Sequence, residues 1–331
     1  MRIPDNLCLS TLRPIRGGFY SAGAMRTLFG GQRVPHLLQF EQKEFAEFRQ
    51  EAASRISISG VQDKISLRLV DGQLTPTDRE GEFILKPVPN ALAGTLDLVE
   101  DVPANEHVTM QIAAQVFGLR TAECGLVFFP DGEPAYLVRR FDRDPESSRK
   151  LAQEDFCQLA GRSRATDGEN YKYDGSYEEV GRLLREYCGA WKVESEKLFA
   201  LVAFNYVCGN GDAHLKNFSV LETPMGDSVL SPAYDLLNTS LHLPTESRTA
   251  LDFFDDLVTP SFKANGFFKR PDFLLLAKQF GLREQRAEAI LNRFAHEKDA
   301  VLNLLDRSLL SDSAQNRFGT LVLDRLRAIA D

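Results

Sequence analysis

Between Asp212 and Asn217 the 331-residue chain sets a carboxylate, the His214 imidazole, the Lys216 ammonium and an amide, after the glycines at 209 and 211. Asp212 and Asn217 stand five apart. That spacing suits phosphoryl transfer, in which a carboxylate takes the proton of an attacking hydroxyl and an amide oxygen binds magnesium. Taken alone, such a pair is more often a solvated turn. Three further residues extend it in chain order. Lys86 ends the apolar run Phe-Ile-Leu-Lys within reach of an ATP phosphate, and Glu106 follows as a partner able to orient it or as a complement to a helix dipole. Asp235, in Ser-Pro-Ala-Tyr-Asp, supplies a later carboxylate for magnesium.

The elements that must position these residues follow from periodicity. Ile56 and Ile58, then Ile65, Leu67 and Leu69, alternate with polar residues and predict two strands joined at Gly60. Such a ribbon lays backbone N–H groups over phosphates, with Lys64 adding charge; an ordinary surface hairpin has the same pattern. A strand is expected at 82–86, stopped by Pro87. A helix is expected at 105–118, with Asn105 as N-cap, Gly118 as stop, and Val108, Ile112 and Val116 on one core-facing stripe. Strands at 124–129 and 135–141 complete a five-stranded lobe containing one helix. Helical periodicity then dominates, placing a domain boundary near residue 142. Helices are expected from Ser176, whose Ser-Tyr-Glu-Glu has capping-box form, and at 195–208, 272–280, 283–309 and 312–329. Short strands at 218–221 and 229–230 flank a turn at Gly226. Residues 1–50 show turns at Gly17-Gly18 and Gly30-Gly31 and a short helix at 42–53.

Composition narrows the class. A chain 43% hydrophobic and 26% charged fits a soluble globular protein of about two domains. The net charge of -8 argues against a main surface built for nucleic acid. Five scattered cysteines without a Cys-x-x-Cys pair suggest neither a disulfide framework nor a zinc site, and fit a reducing cytoplasm. No apolar run reaches membrane-helix length, and the first residues lack a secretory core, so a cytoplasmic protein without a membrane partner is expected.

The chain resembles the HipA family of bacterial Ser/Thr protein kinases, the toxins of toxin-antitoxin systems, along nearly its whole length. The resemblance rests on Ser-Gly-Val-Gln-Asp-Lys64, Phe-Ile-Leu-Lys-Pro87, Asn-Glu-His107, Arg-Arg-Phe-Asp-Arg143, Gln-Glu-Asp-Phe-Cys-Gln158, the 209–218 loop and Ser-Pro-Ala-Tyr-Asp235. It implies an α+β, two-lobed protein-kinase-like fold, with a β-rich N-lobe over 1–141 and a mostly helical C-lobe over 142–331. It implies ATP and Mg2+ as cofactors, Lys86 on an ATP phosphate, Asp212 as base, and Asn217 with Asp235 on magnesium. Phe141, His214 and Tyr234 would lie against the nucleotide, beneath a phosphate-covering loop of Gly60, Val61, Gln62, Asp63 and Lys64. Arg139 departs from relatives that carry an acidic residue beside the adenine.

The ribbon begins some 55 residues into the chain, without the extra N-terminal subdomain of full-length HipA. The chain is in this respect similar to the short HipT form, which is served by a separate small protein, HipS, and the DNA-binding protein HipB. Ser57 and Ser59 resemble the paired-serine autophosphorylation motif of that form. The substrates implied are aminoacyl-tRNA synthetases, tryptophanyl for HipT and glutamyl for HipA, with the short architecture favouring the former.

Two other readings remain. A small-molecule kinase of the aminoglycoside or choline type shares Gly-Asp-x-x-x-x-Asn and a later metal aspartate, but Gln62-Asp63-Lys64 and Phe-Ile-Leu-Lys-Pro favour the HipA side. A silent scaffold within a repressor complex would not need Lys86, Asp212, Asn217 and Asp235 intact.

Overall fold

The alternation of Ile65, Leu67 and Leu69 with polar residues produces a strand, β1 (Ile65–Val70), and the chain reverses at Asp71-Gly72 into β2 (Gln73–Pro76). Both turn residues have positive φ, 51° and 76°, as a two-residue hairpin of mirror-image type requires. The computed structural model describes residues 6–42, 64–89, 96–144 and 149–331. The helix expected at 42–53 lies outside the described residues beyond Gln42, as do the strand at 55–59 and the positions Ser57, Ser59, Gly60, Val61, Gln62 and Asp63.

Two compact units divide the described chain. One takes residues up to 111, 122–141 and 303–315; the other takes 112–121, 142–302 and 316–331. The first carries a five-stranded antiparallel sheet in the order β2-β1-β3-β5-β4, with β3 at Phe83–Pro87, β4 at Cys124–Phe128 and β5 at Pro134–Arg139. Five strands were expected, but membership differs: the Asp-Gly hairpin contributes β2. A helix is also added. Ser21 caps α1 (Ala22–Phe29) by accepting the Ala24 N–H at 3.1 Å, and Gly30 ends it at φ 63°. The glycine pairs on either side masked this eight-residue element.

The next helix, α2 (Val102–Gln115), begins three residues before the expected Asn105 cap, following a short 3-10 turn at Val99–Asp101. Asn105 therefore lies inside it. Its Oδ1 accepts the Thr109 hydroxyl at 3.2 Å. The single core-facing stripe is also corrected, because every residue from Val102 to Ala113 is buried. The polar ones are satisfied individually: His107 Nε2 pairs with the Ser10 carbonyl at 3.0 Å, and Gln111 donates to Cys124 Sγ at 3.3 Å.

The second unit is mostly helical. A short strand, β6 (Gln153–Asp155), leads into α3 (Phe156–Leu159) and α4 (Arg164–Asp167). Ser176 then caps α5 (Tyr177–Tyr187), and the central α6 runs from Trp191 to Cys208. Thirteen residues of α6 are buried, so its side chains meet core on several sides. A three-stranded sheet, β6-β7-β8, uses β7 (Ser219–Glu222) and β8 (Ser228–Leu230). Two short helices follow, α7 (Pro260–Asn265) and α8 (Arg270–Gln279). The helix expected at 283–309 is two, α9 (Glu284–His296) and α10 (Lys298–Asp306). Glu297 breaks it by turning its N–H to the Phe294 carbonyl, three residues back, at 3.1 Å. The chain ends in α11 (Asp312–Ala330). Among the described residues no helix is long and apolar enough to cross a membrane.

Candidate active site

In the first unit Lys86 sits on β3 with Tyr136 of β5 as its register partner. Its ammonium forms an ion pair with Glu106 of α2, and the two side chains are only 4% and 2% exposed. The ammonium also lies 5.4 Å from the centre of the Tyr136 ring. Glu106 falls in the second turn of α2 and no acidic residue occupies the first, so Glu106 answers Lys86 rather than the helix end. Burial explains the pairing, since either charge alone in this interior would be strongly disfavoured. Lys64 precedes β1, half-buried. Phe141 follows β5, also half-buried, and Arg139 donates to the Thr27 carbonyl at 2.8 Å.

In the second unit the 209–218 loop is shaped by its glycines. Gly209 stops α6 in a left-handed conformation, φ 75°. Gly211 is required by proximity, for a Cβ there would stand 2.6 Å from both Glu246 Cδ and the Ser247 carbonyl oxygen. Asn210, buried, donates to Asn205 Oδ1 at 2.9 Å and accepts the Asp212 N–H at 3.2 Å. The Gly211 N–H donates to Thr239 Oγ1 at 2.8 Å. Asp212 is fixed at its backbone from two sides, because the His214 N–H also donates to its carbonyl at 2.8 Å.

Asn217 closes the loop: its Oδ1 accepts the His214 N–H at 3.1 Å, leaving the oxygen's second lone pair for another donor or a cation. His214 is buried, and neither ring nitrogen has a hydrogen-bond partner among the described residues. Burial lowers its pKa to about 4, against the opposing pull of the Asp212 and Asp235 carboxylates, whose charges both reach it. Asp212, His214 and Asp235 thus belong to one electrostatic neighbourhood.

Asp235 follows β8 with φ 53°, a left-handed backbone tolerated by few side chains besides Asn and Asp. Tyr234 is anchored beside it, its hydroxyl donating to the Lys216 carbonyl at 2.8 Å and bonding Ser219 Oγ. Burial raises the Tyr234 phenol well above its ordinary pKa. Upstream, Glu194 of α6 accepts the Leu230 N–H at 3.0 Å and the Lys197 ammonium at 2.7 Å, tying β8 to the central helix.

Asn217 and Asp235 offer hard oxygen donors, the chemistry magnesium selects while keeping waters and phosphate oxygens. Among the described residues no group of three or more His, Cys, Asp or Glu side chains forms a cation cage. A two-ligand set completed by phosphate is the arrangement this donor chemistry fits.

Sequence reasoning missed Tyr173. Its hydroxyl donates to Asp212 Oδ1, and its ring lies edge-on to His214 with centroids 5.1 Å apart. Nothing in the local pattern Tyr-Lys-Tyr-Asp-Gly distinguishes it from a turn. Glu194 was likewise unreadable, being one acidic residue in a helix of mixed polarity.

A profile of the HipA-like C-terminal domain matches residues 56–302. A Haemophilus influenzae protein named "Putative kinase" is 29% identical over 71% of this chain and 69% of its own. The Shewanella oneidensis serine/threonine-protein kinase toxin HipA is 28% identical over 61% of this chain, which spans only 47% of that relative. Among solved structures, HipA of the Shewanella oneidensis toxin-antitoxin complex with HipB and operator DNA superposes with a TM-score of 0.64 at 23% identity, covering 88% of this chain and 71% of that one. The Helicobacter pylori proinflammatory kinase CtkA superposes with a TM-score of 0.51 at 13% identity, covering 80% and 90%. At these identities the structural likenesses speak for the fold, which is kinase-like. With the profile spanning most of its length, the chain belongs to the HipA-like C-terminal domain family.

Proposed function

We propose that the protein is an ATP-dependent serine/threonine protein kinase toxin of a toxin-antitoxin system, of the short HipT type. The observation that carries this reading is His214, a buried imidazole whose two ring nitrogens have no hydrogen-bond partner among the described residues and are left for a ligand to satisfy, in a loop that also carries Asp212 and Asn217. In this reading Lys86, held by Glu106, contacts an ATP phosphate, while Phe141, His214 and Tyr234 lie against the nucleotide. Gly60, Val61, Gln62, Asp63 and Lys64 cover its phosphates. Asn217 and Asp235 hold magnesium, which neutralises the charge developing on the transferred group. Asp212 accepts the proton of a substrate serine as its oxygen attacks the γ-phosphorus and the bond to ADP breaks.

The acceptor is an aminoacyl-tRNA synthetase, tryptophanyl in preference to glutamyl. Ser57 and Ser59 are sites of autophosphorylation, a HipS-like small protein and a HipB-like DNA-binding protein are the partners, and the cytoplasm is the compartment. The test incubates the purified protein with magnesium and γ-labelled ATP, adding each synthetase in turn. Label on a synthetase serine is expected. Label confined to a small metabolite such as an aminoglycoside or choline would instead favour the small-molecule kinase, and no turnover at all would leave the scaffold.

A further inference from the structure

We propose that Tyr173 is a positioning residue for phosphoryl transfer, its phenol holding one oxygen of the Asp212 carboxylate so that the other is directed to the acceptor hydroxyl. This rests on the reading of Asp212 as the base. Asp212 Oδ1 accepts the Tyr173 O–H, while Oδ2 accepts no hydrogen bond among the described residues. A carboxylate held by one oxygen and open at the other is oriented without being blocked, the relation a base has to the group that orients it.

Tyr173 is itself secured. The Leu215 N–H donates to the Lys172 carbonyl at 3.1 Å, the Lys216 ammonium lies 5.9 Å from the centre of the Tyr171 ring, and the Tyr173 ring packs edge-on against His214. Residues 171–173 are thus joined to the 212–216 loop at four points. The Lys172 ammonium lies 4.8 Å from the Tyr173 ring centre. The phenol faces the charges of Asp212 and Glu246, and burial together with those charges raises its pKa far above the ordinary value. It therefore remains a neutral donor throughout the range in which an aspartate acts as a base. Catalysis is sensitive to such placement, because small misalignment of a reacting group costs up to about a hundredfold.

Tyr173→Phe keeps the ring and its contact with His214 and removes only the hydroxyl. With magnesium-ATP, and with tryptophanyl-tRNA synthetase, glutamyl-tRNA synthetase and water each tried as acceptor, kcat should fall about tenfold, the loss of one oriented hydrogen bond. KM for ATP and for the acceptor should stay within about twofold, and the melting temperature should not move. An unchanged kcat overturns the assignment. So does a higher kcat or a lower acceptor KM, which would mean that the phenol occupies the acceptor's place, and so does a kcat loss accompanied by a lower melting temperature. A wild-type protein with no turnover to any acceptor, or an Asp212→Asn variant as active as wild type, overturns the kinase reading and this assignment with it. An active wild type beside an inactive Asp212→Asn variant leaves the Tyr173→Phe result to judge Tyr173 alone.

Discussion

The Glu106 carboxylate pairs with the Lys86 ammonium in an interior where both side chains are nearly removed from water. Breaking such a pair leaves a desolvated charge, whereas replacing both members can be close to neutral. Lys86→Met should therefore lower folding stability by about 3–5 kcal/mol. Lys86→Met with Glu106→Gln should recover most of that loss without restoring ATP binding. Urea unfolding and nucleotide titration of the two variants check this, and a double variant no more stable than the single one would contradict it.

Asp212→Asn should abolish phosphoryl transfer, by at least about a hundredfold, while magnesium-ATP affinity stays close to wild type. Asp235→Asn should abolish transfer and also weaken magnesium-ATP binding, by about tenfold or ~1.4 kcal/mol. Calorimetric titration separates the two roles; equal weakening in both variants would show that they are assigned wrongly.

His107 and His214 are both held by burial at a pKa of about 4, below the ordinary histidine value near 6.5. Each folded imidazole stays neutral while its unfolded counterpart gains a proton, so the unfolded chain binds more protons as pH falls through this window. Stability should be fully present above pH 6.5 and decline between pH 6.5 and 5, by roughly 2 kcal/mol per histidine, with further loss towards pH 4. His107→Gln should flatten this dependence. Unfolding midpoints at half-unit pH steps provide the measurement, and a midpoint independent of pH in wild type would refute it.

Much of this architecture is legible in the residues themselves. Period-two alternation locates β1, the apolar run Phe83-Ile84-Leu85 stopped by Pro87 locates β3, and the run ending at Cys208 locates α6 and the start of the loop. The β2 strand had a signal too, Asp71-Gly72 between Leu69 and Leu74. The start of α2 was misjudged because Asn105 has the composition of a cap but spends its side chain on Thr109 inside the helix. Tertiary partners are the part that spacing cannot supply. Lys86 and Glu106 are 20 positions apart, Tyr173 and Asp212 39, and Glu194 and Leu230 36.

Phosphate on Ser57 and Ser59 would add about -1.5 to -2 charges each beside the proposed phosphate-covering loop and should oppose ATP turnover. Phosphopeptide mapping after incubation with magnesium-ATP should find both serines occupied. Ser57→Ala with Ser59→Ala should change turnover and toxicity; unaltered values for both would sink the switch.

A HipS-like small protein and a HipB-like DNA-binding protein should be recovered together with this chain under mild conditions. Affinity capture from native cells, followed by mass spectrometry, tests the pair directly. Recovery of neither would remove the short toxin-antitoxin assignment while leaving the kinase chemistry standing.

The left-handed backbone at Asp235, together with the magnesium role proposed for its carboxylate, restricts the choice of residue there on two independent grounds. Conformation admits glycine, asparagine and aspartate at little cost and penalises glutamate, while the proposed magnesium binding rejects glycine and handicaps asparagine. Only one side chain meets both demands. A saturation library at position 235 selected for folding should therefore retain several residues, and the same library selected for phosphoryl transfer should collapse to aspartate, with Glu lost despite its matching charge.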